Sequence, residues 1–145
     1  QSPLPFSGTV LMSIAEQDRS QIVVDIAREF IQLGFKIKAT RGTQKFLRDH
    51  GIDAEFIYKI NEGRPNIPDG IMNGEIQLVI NTPIGKRSMI DDSYIRKTAI
   101  KYKIPYITTT AAALASAKGI AASKKAAVTK TVLKSLQEYH AEISQ

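Results

Sequence analysis

The sequence predicts an open α/β sheet of five parallel strands covered by helices on both faces. Three observations carry that expectation. Short apolar runs alternate with amphipathic stretches along the chain, the pattern of repeated strand–helix units. The run Gly8-Thr9-Val10-Leu11-Met12-Ser13-Ile14 is largely apolar rather than alternating, as suits a strand buried on both faces. Finally, 145 residues with 43% hydrophobic content suffice for one sizeable core.

Residues 1–7, with Pro3 and Pro5, read as a linker to a larger protein, and residues 8–145 as one domain. The Gly8–Ile14 strand leads to a helix capped by Asp18 or Ser20, in which Ile22, Val23, Ile26, Ala27, Phe30 and Ile31 form one apolar stripe. Leu33-Gly34 stops it. Phe35-Lys36-Ile37-Lys38-Ala39 alternates apolar and cationic residues at strand period, then Phe46, Leu47 and His50 fall at helical spacing, with Gly51 as C-terminal cap. Ala54–Lys59 is the third strand, followed by the polar loop Asn61-Glu62-Gly63-Arg64-Pro65-Asn66 and a short helix from Ile67 to Asn73. Ile76–Asn81 is the fourth strand and enters the turn Thr82-Pro83-Ile84-Gly85-Lys86-Arg87. A helix over Asp92–Tyr102, a short strand over Pro105–Thr108 and an Ala-rich helix capped by Thr109 or Thr110 follow, the last running to about Lys118. A final helix, Val128–Ile143, presents Val128, Val132, Leu136, Tyr139 and Ile143 at spacings of three and four.

Composition narrows the chemistry. With no cysteine, disulfides and thiolate metal sites are excluded, and a reducing, cytoplasmic setting is expected. The two histidines, His50 and His140, are too far apart to suggest a metal centre. No apolar run is long enough for a membrane span, and no signal-peptide pattern opens the chain. The net charge of +6 comes without a basic repeat or a nucleic-acid-binding module, so anionic small molecules are the more economical partners.

Ligands of open parallel sheets bind beyond the carboxyl ends of the strands. Those ends here carry Ser13, Thr40, Lys59 and Asn81-Thr82, beside the turn Thr40-Arg41-Gly42-Thr43 that opens a helix. Unpaired first-turn amides, the positive helix end and flanking hydroxyls make an anion site. Taken singly, Thr40 or Thr43 is a helix cap and Lys59 a solvated lysine; converging on one edge, they favour a phosphorylated ligand. Lys86 and Arg87 sit on a loop able to close over the same edge. Hydroxyls, amides and lysines without a poised carboxylate suit holding a phosphate rather than breaking a bond.

Several motifs then carry a resemblance. Thr40-Arg41-Gly42-Thr43, Lys59, Glu62-Gly63-Arg64-Pro65, Asn73-Gly74, Asn81-Thr82-Pro83-Ile84-Gly85-Lys86-Arg87, Ile95-Arg96 and the run from Lys103 to Thr109 resemble the methylglyoxal-synthase-like domain. The closer likeness is to the branch at the C-terminus of the carbamoyl-phosphate synthase large chain. It implies a Rossmann-type three-layer sandwich and a regulatory, non-catalytic domain without metal or cofactor. It also implies UMP as inhibitor, IMP as activator, and ornithine as a further effector. By position, the effector phosphate meets Thr40, Thr43, Lys59 and Arg19; ribose and base lie by Asn81, Thr82, Gly85, Lys86 and Arg87; Thr108 marks the ornithine side of an interface. Implied partners are the remaining large-chain domains, the glutaminase small chain and a second copy of the chain. The implied setting is an ATP-dependent, glutamine-hydrolysing ligase of pyrimidine or arginine biosynthesis. The enzymatic alternative is a methylglyoxal synthase-like lyase acting on dihydroxyacetone phosphate. The position of that enzyme's catalytic Asp is Arg64 here, and a guanidinium does not accept a proton at neutral pH.

Overall fold

The computed structural model describes residues 4–60, 62–83 and 89–143, and the side chains of 4–60, 62–83 and 92–134. Five strands, β1 (Thr9–Ser13), β2 (Lys36–Ala39), β3 (Ala54–Phe56), β4 (Leu78–Asn81) and β5 (Tyr106–Ile107), form one sheet in the order β3-β2-β1-β4-β5. Every pairing is parallel, as expected. Helices α1 (Gln21–Gln32), α2 (Arg41–Asp49), α3 (Ile67–Met72), α4 (Met89–Lys101) and α5 (Thr110–Ile143) connect and cover the strands.

Side-chain alternation in the central strand divides the core in two. Val10 and Met12 join Val23, Ile26, Ala27 and Phe30 of α1, Leu47 of α2, and Ala113, Ala117 and Ile120 of α5. Leu11 points the other way, with Val79, and meets Ile67 and Ile71 of α3 and Ile95 and Ala99 of α4. All three β1 residues are fully buried, which is why this strand reads as a continuous apolar run. The layers are therefore α1, α2 and α5 on one face and α3 and α4 on the other.

Several boundaries differ from the sequence reading. β3 stops at Phe56 rather than Lys59, because its partner β2 ends at Ala39, whose carbonyl takes its last rung from the Ile57 amide at 3.0 Å. Tyr58 keeps only an isolated bridge to Asn66. A single 3-10 turn, Glu16–Asp18, precedes α1, and Ser20 is the N-terminal flanking residue of that helix without a side-chain capping bond. The two C-terminal helices are one helix, since apart from Gly119 residues 119–127 are mostly Ala and Lys, good helix formers. Thr109 caps it, its hydroxyl accepting the Ala112 amide at 3.1 Å. Val128 and Val132, in the outer half of α5, are 64% and 52% exposed, and the side chains of Leu136, Tyr139 and Ile143 lie outside the described residues.

The strand order places the switch point between β1 and β4, where the chain leaves β1 toward β2 on one side and β4 toward β5 on the other. Two threonines tie this point together. The Ile14 amide, just past β1, donates to Thr43 Oγ1 at 2.9 Å, and that hydroxyl donates back to the Ile14 carbonyl at 3.3 Å. The next amide, Ala15, donates to Thr82 Oγ1 at 2.7 Å. The turn after the central strand is thus braced from both neighbouring strand ends. The loop carrying Lys59 is fixed as well. Asn66 and Asp69 form a reciprocal capping box at the start of α3, and Arg64 grips both Asp69 oxygens at 3.0 and 2.6 Å. The Lys59 amide donates to Glu62 Oε1 at 2.9 Å.

Replacing Thr43 with Val keeps the shape but strips the buried Ile14 amide of its acceptor. Unfolding free energy should fall by about 1–3 kcal/mol; an unchanged urea midpoint would show that the tie carries no weight. The Asp69 carboxyl is held below its ordinary value, first by the Arg64 hydrogen bond and then by the Asn66 amide. A depressed carboxyl contributes stability that is present above the unfolded value, about 4, and is lost as pH falls through the lowered folded value. The melting temperature of the parent should therefore exceed that of Asp69→Asn at neutral pH, with the gap closing in acid. A gap independent of pH would contradict the pairing.

Candidate functional site

Helix α2 begins at the strand-end edge with an exposed positive pole. Thr40 flanks it in extended conformation but makes no side-chain capping bond; its hydroxyl turns to Ser13 Oγ at 3.3 Å instead. The first intrahelical bond is Gln44 N–H to the Thr40 carbonyl at 2.7 Å, so the Arg41, Gly42 and Thr43 amides precede it and have no acceptor within the helix. At the far end Gly51, in the left-handed region at φ 78°, closes the helix as expected.

Cations surround this pole. Arg19, anchored by Nε to the Ile14 carbonyl at 3.0 Å, lays its guanidinium against Gly42: a Cβ placed there would sit 2.5 Å from Arg19 Nη2. A side chain at this position would push the guanidinium aside. Arg41 stacks over the Phe56 ring at 5.4 Å. Lys59 is half-buried on the loop beyond β3, and its ammonium has no hydrogen bond or ion pair among the described residues. Fixed positive charge at a helix N-terminus opposes the helix dipole unless an anion lies between them.

The structure brings Arg19, Thr40 and Thr43 together and leaves Lys59 on the same edge of the sheet. It also separates two kinds of threonine. The Thr43 and Thr82 hydroxyls are fully or almost fully buried and engaged with the Ile14 and Ala15 backbone. What Thr43 retains for a ligand is its first-turn amide. Gly85, Lys86 and Arg87 lie outside the described residues.

Beyond β4 a cavity of about 300 Å³ is lined by Asn81, Pro83, Asp92, Ser93, Arg96, Tyr106 and Thr108. Thr108 is exposed at its edge. Asn81 Nδ2 donates to Asp92 Oδ1 at 3.0 Å and to the Tyr106 hydroxyl at 2.8 Å. Burial pushes the Tyr106 phenol up, with the Asn81 hydrogen bond acting the other way, so it stays protonated. Asp92 and Tyr106 were not singled out as site residues by sequence; the β4–β5 pairing, Val79 with Tyr106 and Ile80 with Ile107, brings Tyr106 beside Asn81, and the first turns of α4 bring Asp92. A larger hollow of about 950 Å³ beside the outer half of α5 is bordered, among the described residues, by that helix. Among the described residues no group of His, Cys, Asp or Glu could hold a metal ion, and no helix is long and apolar enough to cross a membrane.

Comparison with known proteins gives the family. The family model of the MGS-like domain matches residues 22–108. The carbamoyl phosphate synthase large chain of Archaeoglobus fulgidus is 47% identical over 96% of this chain, which spans 13% of that protein. The C-terminal section of the large chain from Methanopyrus kandleri is 50% identical over 87% of this chain and is itself covered to 23%. That of Aquifex aeolicus is 48% identical over 84%, covered to 22%. The crystal structure of ForH shares the fold alone, with a TM-score of 0.51 at 16% identity over 74% of this chain and 76% of that one. The chain belongs to the MGS-like domain family, and carbamoyl phosphate synthase large chains are among its relatives.

Proposed function

We propose that this chain is the allosteric domain of a carbamoyl-phosphate synthase large chain, binding nucleoside monophosphates and performing no chemistry by itself. UMP is the expected inhibitor, IMP the expected activator, and ornithine a further effector near Thr108. The observation that carries the reading is the Arg19 guanidinium lying against Gly42 at the uncapped start of α2. A phosphate there would accept first-turn amides and neutralise Arg19, with Lys59 adding a compact charge from the neighbouring loop. Thr40 would add its hydroxyl. Ribose and base would extend along the β4 end toward Asn81 and the turn carrying Thr82, Gly85, Lys86 and Arg87.

The similarity to large chains, of which this chain spans a small part, supports the remaining large-chain domains as the partners that read out the effector. Through them the small glutaminase chain would feel it, in the cytoplasm, in pyrimidine or arginine biosynthesis; self-association of the domain is a further expected contact. The lyase alternative finds no base at the matching position, because Arg64 is a cation committed to Asp69.

Calorimetric titration of the 145-residue chain with UMP tests this. Lys59→Ala should cost about 1.5–3 kcal/mol of binding, the range of a charge-assisted hydrogen bond, or on the order of tenfold to a hundredfold in Kd. Thr40→Val should cost less, about 0.5–1.5 kcal/mol, since one neutral bond is lost. Uridine, lacking phosphate, should be nearly blind to the Lys59 change. Equal UMP affinity of parent and Lys59→Ala would put the phosphate elsewhere.

A further inference from the structure

The hydrogen bonds around Asn81 have a fixed direction. A carboxamide has two N–H donors on nitrogen and an acceptor oxygen. Both Asn81 donors are spent, one on the Asp92 carboxylate at 3.0 Å and one on the Tyr106 hydroxyl at 2.8 Å. The Tyr106 hydroxyl in turn reaches the Asp92 backbone carbonyl at 3.5 Å, so its own proton is directed away from Asn81. Turning the amide over would set its oxygen against the Asp92 carboxylate, acceptor facing acceptor. Asp92 and Tyr106 together therefore admit one amide orientation. In that orientation Asn81 Oδ1 is left over: it is buried, in a residue only 2% exposed, and has no hydrogen-bond partner among the described residues. Buried polar atoms without a partner are rare and ask for one.

We propose that Asp92 and Tyr106 are positioning residues that fix Asn81 as an acceptor, so that the effector must offer an O–H or N–H donor at the β4 end. This rests on the nucleotide reading above and sharpens it. A carbonyl or phosphate oxygen is rejected at this point, and a nucleoside monophosphate meets the requirement with a ribose hydroxyl or with a base N–H. Discrimination is strong because an analogue without the donor leaves Oδ1 unsatisfied in a closed site. Asp92 and Tyr106 act through Asn81, on affinity for donor-bearing ligands and not on the phosphate end.

The test uses parent, Asp92→Asn and Tyr106→Phe chains titrated with UMP, 2′,3′-dideoxy-UMP and N3-methyl-UMP. In the parent, UMP should bind at least about tenfold more tightly than one of the two analogues, the loss of a hydrogen bond to a buried acceptor. The analogue that suffers identifies the donor as ribose hydroxyl or base N–H. In Asp92→Asn an amide replaces the carboxylate, either orientation of Asn81 finds a partner, and that preference should shrink to within about threefold. The preference for UMP over uridine, which reads the phosphate end, should stay unchanged. A purely structural role would weaken UMP and both analogues alike and leave the ratio intact, overturning the proposal. The ligand-free readout is the Asn81 side-chain NH₂ pair in ¹H–¹⁵N spectra. Both protons should exchange slowly in the parent, and one should become fast in Tyr106→Phe. Fast exchange of both in the parent would refute the fixed amide. Slow exchange with no UMP binding by the parent would retain the positioning pair and reject the nucleotide reading.

Discussion

Two threonine hydroxyls, on Thr43 and Thr82, hold the turn that follows the central strand, and the geometry of the strand-end edge depends on them. Past Ser13 the chain has no strand partner to satisfy its amides. Buried amides must be paired, and the neighbouring strand ends supply the acceptors as side chains. One tie runs to α2 and the other to the residue after β4, so the start of α2, the end of β1 and the end of β4 form one unit. The Ile14 carbonyl then serves as the anchor from which Arg19 reaches Gly42. A site assembled this way sits on braced backbone rather than on the tips of free loops.

The electrostatics of that unit point to a binder. Helix α2 opens without a side-chain cap, and guanidinium groups stand at the end where the dipole is already positive. The phosphate of the proposed effector would relieve that arrangement. The groups that gather there are amides, guanidinium, hydroxyl and ammonium. The neighbouring loop spends its carboxylates internally, Asp69 on Arg64 and Glu62 on the Lys59 amide, and so holds its own shape.

Much of the fold was legible because buried parallel strands and amphipathic helices write different periods. The five strands and their all-parallel arrangement follow from strand–helix alternation, which leaves the strand order open, and Gly51 and Thr109 acted as the sequence suggested. The end of β3 was not legible from its own residues, since Phe56 to Lys59 still reads as strand; it is set by where β2 turns into helix. The continuity of α5 was obscured by reading the Ala- and Lys-rich stretch after Gly119 as a break. In the site, the Thr40–Thr43 turn announced itself by residue type. The commitment of the Thr43 and Thr82 hydroxyls to backbone could not be read, because their partners lie 29 and 67 residues away. Asp92 and Tyr106 were hidden for the same reason. Sequence spacing carries residue type, while hydrogen-bond direction requires the neighbours that only the sheet supplies.

The central claim is that an anion completes the start of α2, and a crystal structure of this chain with UMP tests it most directly. The phosphate is expected within about 3 Å of the Gly42 and Thr43 amides, with the Arg19 guanidinium and the Lys59 ammonium on its oxygens. A nucleotide whose phosphate lies elsewhere, for instance along the lysines of α5, with Arg19 unmoved against Gly42, would contradict it.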